Sequence, residues 1–398
     1  MSTAYPKLPE IVMNKICLDV TNISPGKGGA GGGITTYAKN LLLGLDTILK
    51  ESEYPDVEIL VVGDPKFLDG IKLDRIQKID VLVNNQSILK RNYWLHVALP
   101  RFLKKNDIKV LHRVVPELPM VKSSKYIMTL HDFMFDFYLE RPKLKSYLGR
   151  INQVKFLILR WMMRMGVSNH DTLLTPSSSI AQEARERFPE KNLNLTVTKL
   201  ATNRTVNGIK KTPVSDRDII LGYVAAFYPH KGHKQAIELM KRLKNSARGQ
   251  NVKLFFRGSA VYKDYYEEIK TMIAKEGLSD RVVMEGFDPN ITIEEIYSKY
   301  TATLLLSEYE GFGLPVLESQ AFAKPVICSD IPVFKENLKN SAIYLSTNPS
   351  ASEIENMLDK LYDREYLESL VEEGGQNVTQ YSWNKTCRET FDSYLKLL

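Results

Sequence analysis

Cysteine is scarce in this chain. Its 398 residues hold three, Cys17, Cys328 and Cys387, far apart and without a CxxC spacing. An odd, dispersed set excludes a disulfide framework and a cysteine zinc site, and reads as buried thiols of a reducing cytoplasm. No stretch reaches the roughly 20 apolar residues that span a bilayer. The amino-terminal MSTAYPKLPEIVMNK also lacks the apolar core of a signal peptide. The expected setting is therefore cytoplasmic, with peripheral contact to the inner face of the membrane left open. A GxxxxGK[ST] loop is missing, which excludes a P-loop, and neither short repeats nor low-complexity tracts occur. The six histidines form no pair with metal-ligand spacing, and the only DxD letters, Asp216-Arg217-Asp218, fall in a segment that reads as a linker. No metal and no other cofactor is expected.

What is present suits a soluble two-domain protein. The length fits two domains of about 200 residues each. An apolar fraction of 43% and a charged fraction of 25% exclude wholesale disorder. The net charge of +7 resembles a nucleic-acid signal until the halves are counted apart. Residues 1–215 carry 32 Lys/Arg against 20 Asp/Glu, a balance of +12; residues 216–398 carry 22 against 27, a balance of −5. A basic front half is joined to a mildly acidic back half.

Short apolar runs alternate with amphipathic ones. Lys15–Val20, Val57–Val62, Lys109–Val115, Tyr126–Leu130 and Thr172–Pro176 have strand length, and helical periods such as Thr35–Lys50 and Ile180–Phe188 lie between them. The rhythm restarts with strands at Ile219–Phe227, Val252–Phe256, Val282–Met284, Thr303–Leu306 and Val326–Cys328. Between these lie helices at Lys234–Lys244, Tyr265–Glu276, Glu294–Tyr300 and Leu314–Phe322. Asn203–Asp218, with Pro213 and mixed charge, is the linker and hinge. Two doubly wound α/β domains follow, with ligands expected outside the carboxyl ends of their strands.

Four motifs fall at such ends. The run Gly26 to Gly33 satisfies GxGxxG at Gly26, Gly28 and Gly31, but Asp64 lies too far on for a dinucleotide fingerprint. It can still bring backbone amides to an anion, or serve only as a surface loop. Ser307 to Glu318 reads SEYEGFGLPVLE. Glu310 precedes a helix whose first turn holds Pro315, Glu318 lies a turn inside it, and the glycines expose amides between them. Carboxylates for sugar hydroxyls beside a helix end for phosphate make a coherent site. Lys231, in Lys231-Gly232, can meet a phosphate as a point charge or remain a solvated lysine. His131, in His131-Asp132, faces the cleft or is a satisfied core histidine.

Together these residues resemble the retaining, nucleotide-sugar-dependent glycosyltransferases of family 4, which have the GT-B fold. GGITTYAKNLL, TLHD, LLTPSSSIAQE, the KG pair, EGFGLPVLE and the Tyr381-Ser382-Trp383 turn each match a block of that family. The resemblance implies two Rossmann-like domains facing a central cleft. Residues 1–205 would bind the acceptor, 206–378 the nucleotide sugar, and 379–398 would be a helix crossing back to the first domain. Glu310 and the amides of Gly311, Phe312, Gly313 and Leu314 would hold the donor sugar, and Glu318 the ribose hydroxyls. Lys231 and the amides of Gly32 and Gly33 would hold the diphosphate, and His131 would sit near the reacting carbon.

Two positions depart from the family. Its phosphate-binding Arg is replaced by Ala226, so His230 or Arg257 is expected to supply the missing cation, and its usual Gly before PV is Lys324. The implied reaction is metal-free front-face transfer with retained configuration, a leaving-group phosphate oxygen helping to deprotonate the acceptor hydroxyl.

The likeness is strongest to bacterial mannosyltransferases of surface-polysaccharide assembly. That points to mannose from GDP-mannose and a glycan or lipid-linked oligosaccharide acceptor in polysaccharide or O-antigen synthesis. A UDP-sugar donor is the alternative, followed by a GT-B sugar-phosphate enzyme. A non-enzymatic nucleic-acid binder using the basic half stands equally far behind, because aromatic platforms and recognised modules are missing, and no nucleic-acid partner is expected. The run Arg141–His170 has seven Lys/Arg and no acid, interleaved with apolar residues. It suits an anionic membrane surface or a phosphorylated acceptor, or else forms a core helix with a solvated basic edge.

Overall fold

The computed structural model describes residues 13–23, 32–51, 54–85, 87–203, 219–286, 288 and 290–398. The expected linker beyond Asn203, the 205/206 boundary, Asp216 to Asp218 and Gly26 to Gly31 lie outside the described residues.

Two parallel sheets form the frame. In the first, β1 (Asn14–Asp19), β2 (Val57–Gly63), β3 (Gln77–Asp80), β4 (Ile108–Arg113), β5 (Lys125–Thr129), β6 (Thr172–Thr175) and β7 (Leu195–Val197) lie in the order β3-β2-β1-β4-β5-β6-β7. In the second, β8 (Ile219–Val224), β9 (Val252–Arg257), β10 (Val282–Glu285), β11 (Ala302–Leu305), β12 (Val326–Ser329) and β13 (Ile343–Leu345) lie in the order β10-β9-β8-β11-β12-β13. The central strands are buried on both faces, as continuous runs such as EILVV and ATLL require once helices cover each side. Strand order reverses between β1 and β4 and between β8 and β11. Loops leaving those strands diverge and open a crevice at the switch point of each sheet.

The helices used below are α1 (Gly32–Lys50), α2 (Ile88–Tyr93), α3 (Gly149–Asn169), α4 (Ser178–Arg187), α5 (His233–Lys244), α6 (Lys263–Lys275), α7 (Leu314–Ala321), α8 (Pro332–Leu338) and α9 (Trp383–Leu395). The last, α9, lies against α1 of the first domain. Its Tyr394 hydroxyl meets His112 Nδ1 at 2.7 Å, and His112 Nε2 meets Thr129 Oγ1 at 2.8 Å.

The basic run 141–170 is not one helix. A short turn of helix at Pro142–Ser146 ends before Gly149, whose φ of 61° lies in the left-handed region, and α3 starts there. Nor is α3 simply a core helix. Its buried residues are Met162, Met163, Gly166 and Val167, all in the carboxyl half, while Ile151, Val154, Leu157 and Trp161 are exposed.

Candidate active site

The carboxyl edges of the two sheets face each other across a cavity of about 1280 Å3. On the second domain's side, Lys231 follows β8 in a single turn of 3-10 helix. Gly232 comes next at φ 75°, with its α-carbon so near Leu306 that a Cβ would stand 1.8 Å from the Leu306 carbonyl oxygen. Only glycine fits this left-handed, crowded position. The Tyr223 hydroxyl joins the loops after β8 and β11, donating to the Lys231 carbonyl and accepting from the Leu306 amide. Held this way, Lys231 Nζ donates to both oxygens of Glu310, at 2.7 and 2.8 Å, and Ser307 Oγ donates to Glu310 Oε1 at 2.7 Å.

The first domain meets this loop directly. A Cβ on Gly311 would stand 2.1 Å from the His131 carbonyl oxygen, so the glycine lets the two backbones touch. Ser177 Oγ donates to the Gly311 carbonyl at 2.9 Å. Tyr309 stacks on Phe137, accepts from the Phe133 amide and donates to Glu183. Farther along, Glu336 of α8 accepts from the amides of Ser178 and Ser179 and from the Ser179 hydroxyl, each at 2.8 Å. A carboxylate from one domain thus caps the amino end of α4 in the other. The domains are closed on each other.

Of the residues singled out by sequence, Gly32, Gly33, Lys231, Glu310 and Gly311 line the cavity together. Gly32 and Gly33 open α1, so the positive end of its dipole lies in the wall of the cavity that holds the Lys231–Glu310 pair. The other five lie beside the wall. His131 is buried, its Nε2–H donating to the Val114 carbonyl at 2.9 Å and its ring edge-on to Tyr37. Burial brings its pKa down to about 4 and keeps it neutral. Phe312 packs on Tyr381 while its carbonyl accepts from Asn337. Gly313, at φ 86°, is the residue before α7, and Leu314 and Glu318 belong to that helix, with Glu318 half-exposed.

Of the expected substitutes for the missing cation, His230 reaches the cavity wall but carries no charge, and Arg257 does not reach it. His230 is buried against Tyr138, whose hydroxyl meets its Nδ1 at 2.9 Å. Burial, then the nearby Lys231 and His233, hold it well below the usual histidine range and uncharged. Arg257 is turned to Glu285, Nη1 to Oε2 at 2.7 Å, and is not part of the cavity wall. Ala226 does line the cavity, where Lys155 and Lys263 bring positive charge instead. At the second departure, Lys324 is buried after Ala323, whose φ is 53°, so a different turn stands there.

Sequence reasoning passed over Asp132, which lines the cavity with its pKa raised by burial and by the nearby Glu310, against Lys231. It also missed Arg91 and Glu117, an ion pair on the first domain's side of the cavity, and Asn22, which lines the same side. The signal for Asp132 was its place next to His131 at a strand end; Arg91 and Glu117 carry no local signal. Among the described residues, no group of three or more His, Cys, Asp and Glu could hold a metal ion. No helix among them is long and apolar enough to cross a membrane.

Residues 207–378 match the family model described as glycosyl transferases group 1. This part of the chain is a group 1 glycosyltransferase domain. The glycosyltransferase domain carries Lys231, Glu310 and the whole EGFGLPVLE block. Beyond it, the chain is similar to O-antigen chain mannosyltransferase RfbU of Salmonella typhimurium, 26% identical over 66% of this chain and 67% of that protein. It is 23% identical to O-antigen chain mannosyltransferase B of Escherichia coli over 44% of this chain, spanning 45% of that relative. Its fold is GT-B. Sucrose-phosphate synthase from Thermosynechococcus elongatus superposes with a TM-score of 0.72 at 16% identity, over 96% of this chain and 99% of the other.

Proposed function

We propose that the chain transfers a hexose, mannose from GDP-mannose as the favoured case, to a glycan or lipid-linked acceptor hydroxyl with retained configuration and without a metal. The observation that carries this reading is the Lys231–Glu310 pair facing the amino end of α1 across one cavity. A cation and helix amides suit a diphosphate; a carboxylate beside them suits sugar hydroxyls.

When a donor enters, the diphosphate takes Lys231 and the amides of Gly32 and Gly33. Glu310, released from the lysine, accepts from the donor's sugar hydroxyls. As the glycosidic bond breaks, charge grows on the leaving diphosphate, and these fixed donors stabilise it without reorganising. The acceptor hydroxyl approaches on the same face and gives its proton to a leaving-group phosphate oxygen. Neutral His131 and the Gly311 contact keep the wall rigid at that point.

The names of the two O-antigen relatives support mannose and a surface-polysaccharide role, acted out on the cytoplasmic face. A thermal-shift panel of GDP, UDP, ADP and TDP tests the donor: a ligand at about 100 times its Kd adds roughly 2.7 kcal/mol to stability. Proton NMR of the product's anomeric linkage reads the stereochemistry. Selective stabilisation by UDP overturns GDP-mannose, and an inverted linkage overturns retention.

A further inference from the structure

A second groove, of about 500 Å3, runs between α2 and the amino half of α3. Its floor and sides include Ile88, Ile151, Val154, Ile158, Leu159 and Met162. It is continuous with the main cavity, since Arg91, Lys155 and Leu159 line both. Met162 at the base belongs to the core, but the rim does not: Ile88 is 43%, Ile151 86% and Val154 57% exposed. Leu89, Tyr93, Leu157 and Trp161 extend the exposed apolar surface on the same two helices. A contiguous patch of this kind marks an interaction site.

The charges on its two helices have one sign. The two helices carry Lys90, Arg91, Arg150, Lys155, Arg160 and Arg164 and no carboxylate. Arg91 is engaged by Glu117, and Arg160 and Arg164 face Asp136. Lys155 makes no ion pair among the described residues and stands where the groove joins the cavity. An apolar trough ending at a lone cation complements an amphiphile with a hydrocarbon tail and an anionic head.

We propose that this groove binds the hydrocarbon tail of a phosphate-linked lipid acceptor, with Lys155 at its phosphate and its sugar end in the main cavity. The inference rests on the glycosyl-transfer reading of that cavity. A sugar-only acceptor would have no use for the groove. A flat bilayer needs no groove, whereas here apolar residues of two helices line an open trough that runs into the main cavity.

Calorimetry on the full chain tests it with inorganic diphosphate, geranyl diphosphate and farnesyl diphosphate as monomeric probes. Each buried methylene adds to affinity, so binding should tighten along that series, by about tenfold or more overall. The double variant Ile151→Asp/Val154→Asp changes two exposed positions and should weaken farnesyl diphosphate about tenfold, with nucleoside diphosphate affinity retained. Lys155→Ala should weaken both prenyl probes alike. Equal affinity for inorganic and farnesyl diphosphate, or an unaffected double variant, overturns the groove. So does a variant that loses anionic vesicles yet keeps farnesyl diphosphate, because the face then belongs to a bilayer. Prenyl binding by a chain that takes up no nucleoside diphosphate supports the groove and overturns the donor reading instead.

Discussion

Lys231 and Glu310, 79 residues apart in sequence, hold each other in the cavity, both carboxylate oxygens within 2.8 Å of the ammonium. On the proposed reading both side chains are therefore already paired before a donor enters, and its binding is an exchange of partners. Glu310→Gln removes the competitor for Lys231 without changing shape. We expect transfer to fall at least 100-fold while nucleoside diphosphate binds up to about tenfold tighter, the worth of roughly 1.4 kcal/mol from a released cation. Lys231→Ala should lose nucleotide affinity instead. Calorimetry with GDP and UDP on both variants reads the opposite signs, and normal turnover by Glu310→Gln would end the assignment.

Gly311→Ala tests the contact between domains. The added methyl would stand 2.1 Å from the His131 carbonyl oxygen and 3.3 Å from the Asp132 Cβ, and backbone cannot swing aside. The domains should be held apart by about an ångström, enough to cost roughly 100-fold in transfer. Nucleotide binding to the second domain alone should change little. Small-angle scattering should give a larger radius of gyration for the variant with donor bound.

Much of this arrangement was legible in sequence. Strands such as β1, β2, β8 and β11 are buried on both faces, so they show as continuous apolar runs, and their order of appearance gives the α/β class. The strands β3, β7 and β13 were not legible. Each is an edge strand of three or four residues, and QKID buries neither face. The glycine and glutamate spacing of EGFGLPVLE pointed to a site because all its parts lie within nine residues. The Lys231–Glu310 pairing, the neutral His230 and the Arg91–Glu117 pair depend on which loops meet, and no local pattern carries that. The exposure of Ile151 and Val154 was hidden because an apolar residue reads as core until the helix beside it is known.

Glu336 offers a test of closure away from the chemistry. Burial would raise its pKa, but two amides and a hydroxyl of Ser178 and Ser179 outweigh it and hold the carboxyl below its usual range. Glu336→Gln keeps the shape and gives up the charged cap of α4, worth about 1 kcal/mol. That loss falls on the closed state alone. Turnover should drop about fivefold with donor Kd unchanged; a change in donor Kd with unaltered turnover would contradict a closing role.

Buried histidines should make the protein acid-sensitive. Desolvation lowers the pKa of His131 to about 4 and of His112 and His233 to about 3, against 6.5 for an exposed histidine. Folded-state values are depressed, so the unfolded chain takes up protons first as pH falls. The stabilisation is complete above pH 6.5 and is lost progressively from there down toward pH 3 to 4. The melting temperature should therefore fall steadily between pH 7 and pH 4.5. His112→Gln, which can keep a hydrogen bond to Thr129 or Tyr394 without titrating, should flatten that slope by one proton's share while lowering the melting temperature at pH 7. A slope identical to the parent's would mean that His112 takes up its proton as readily in the folded protein as in the unfolded chain, and that burial does not depress it.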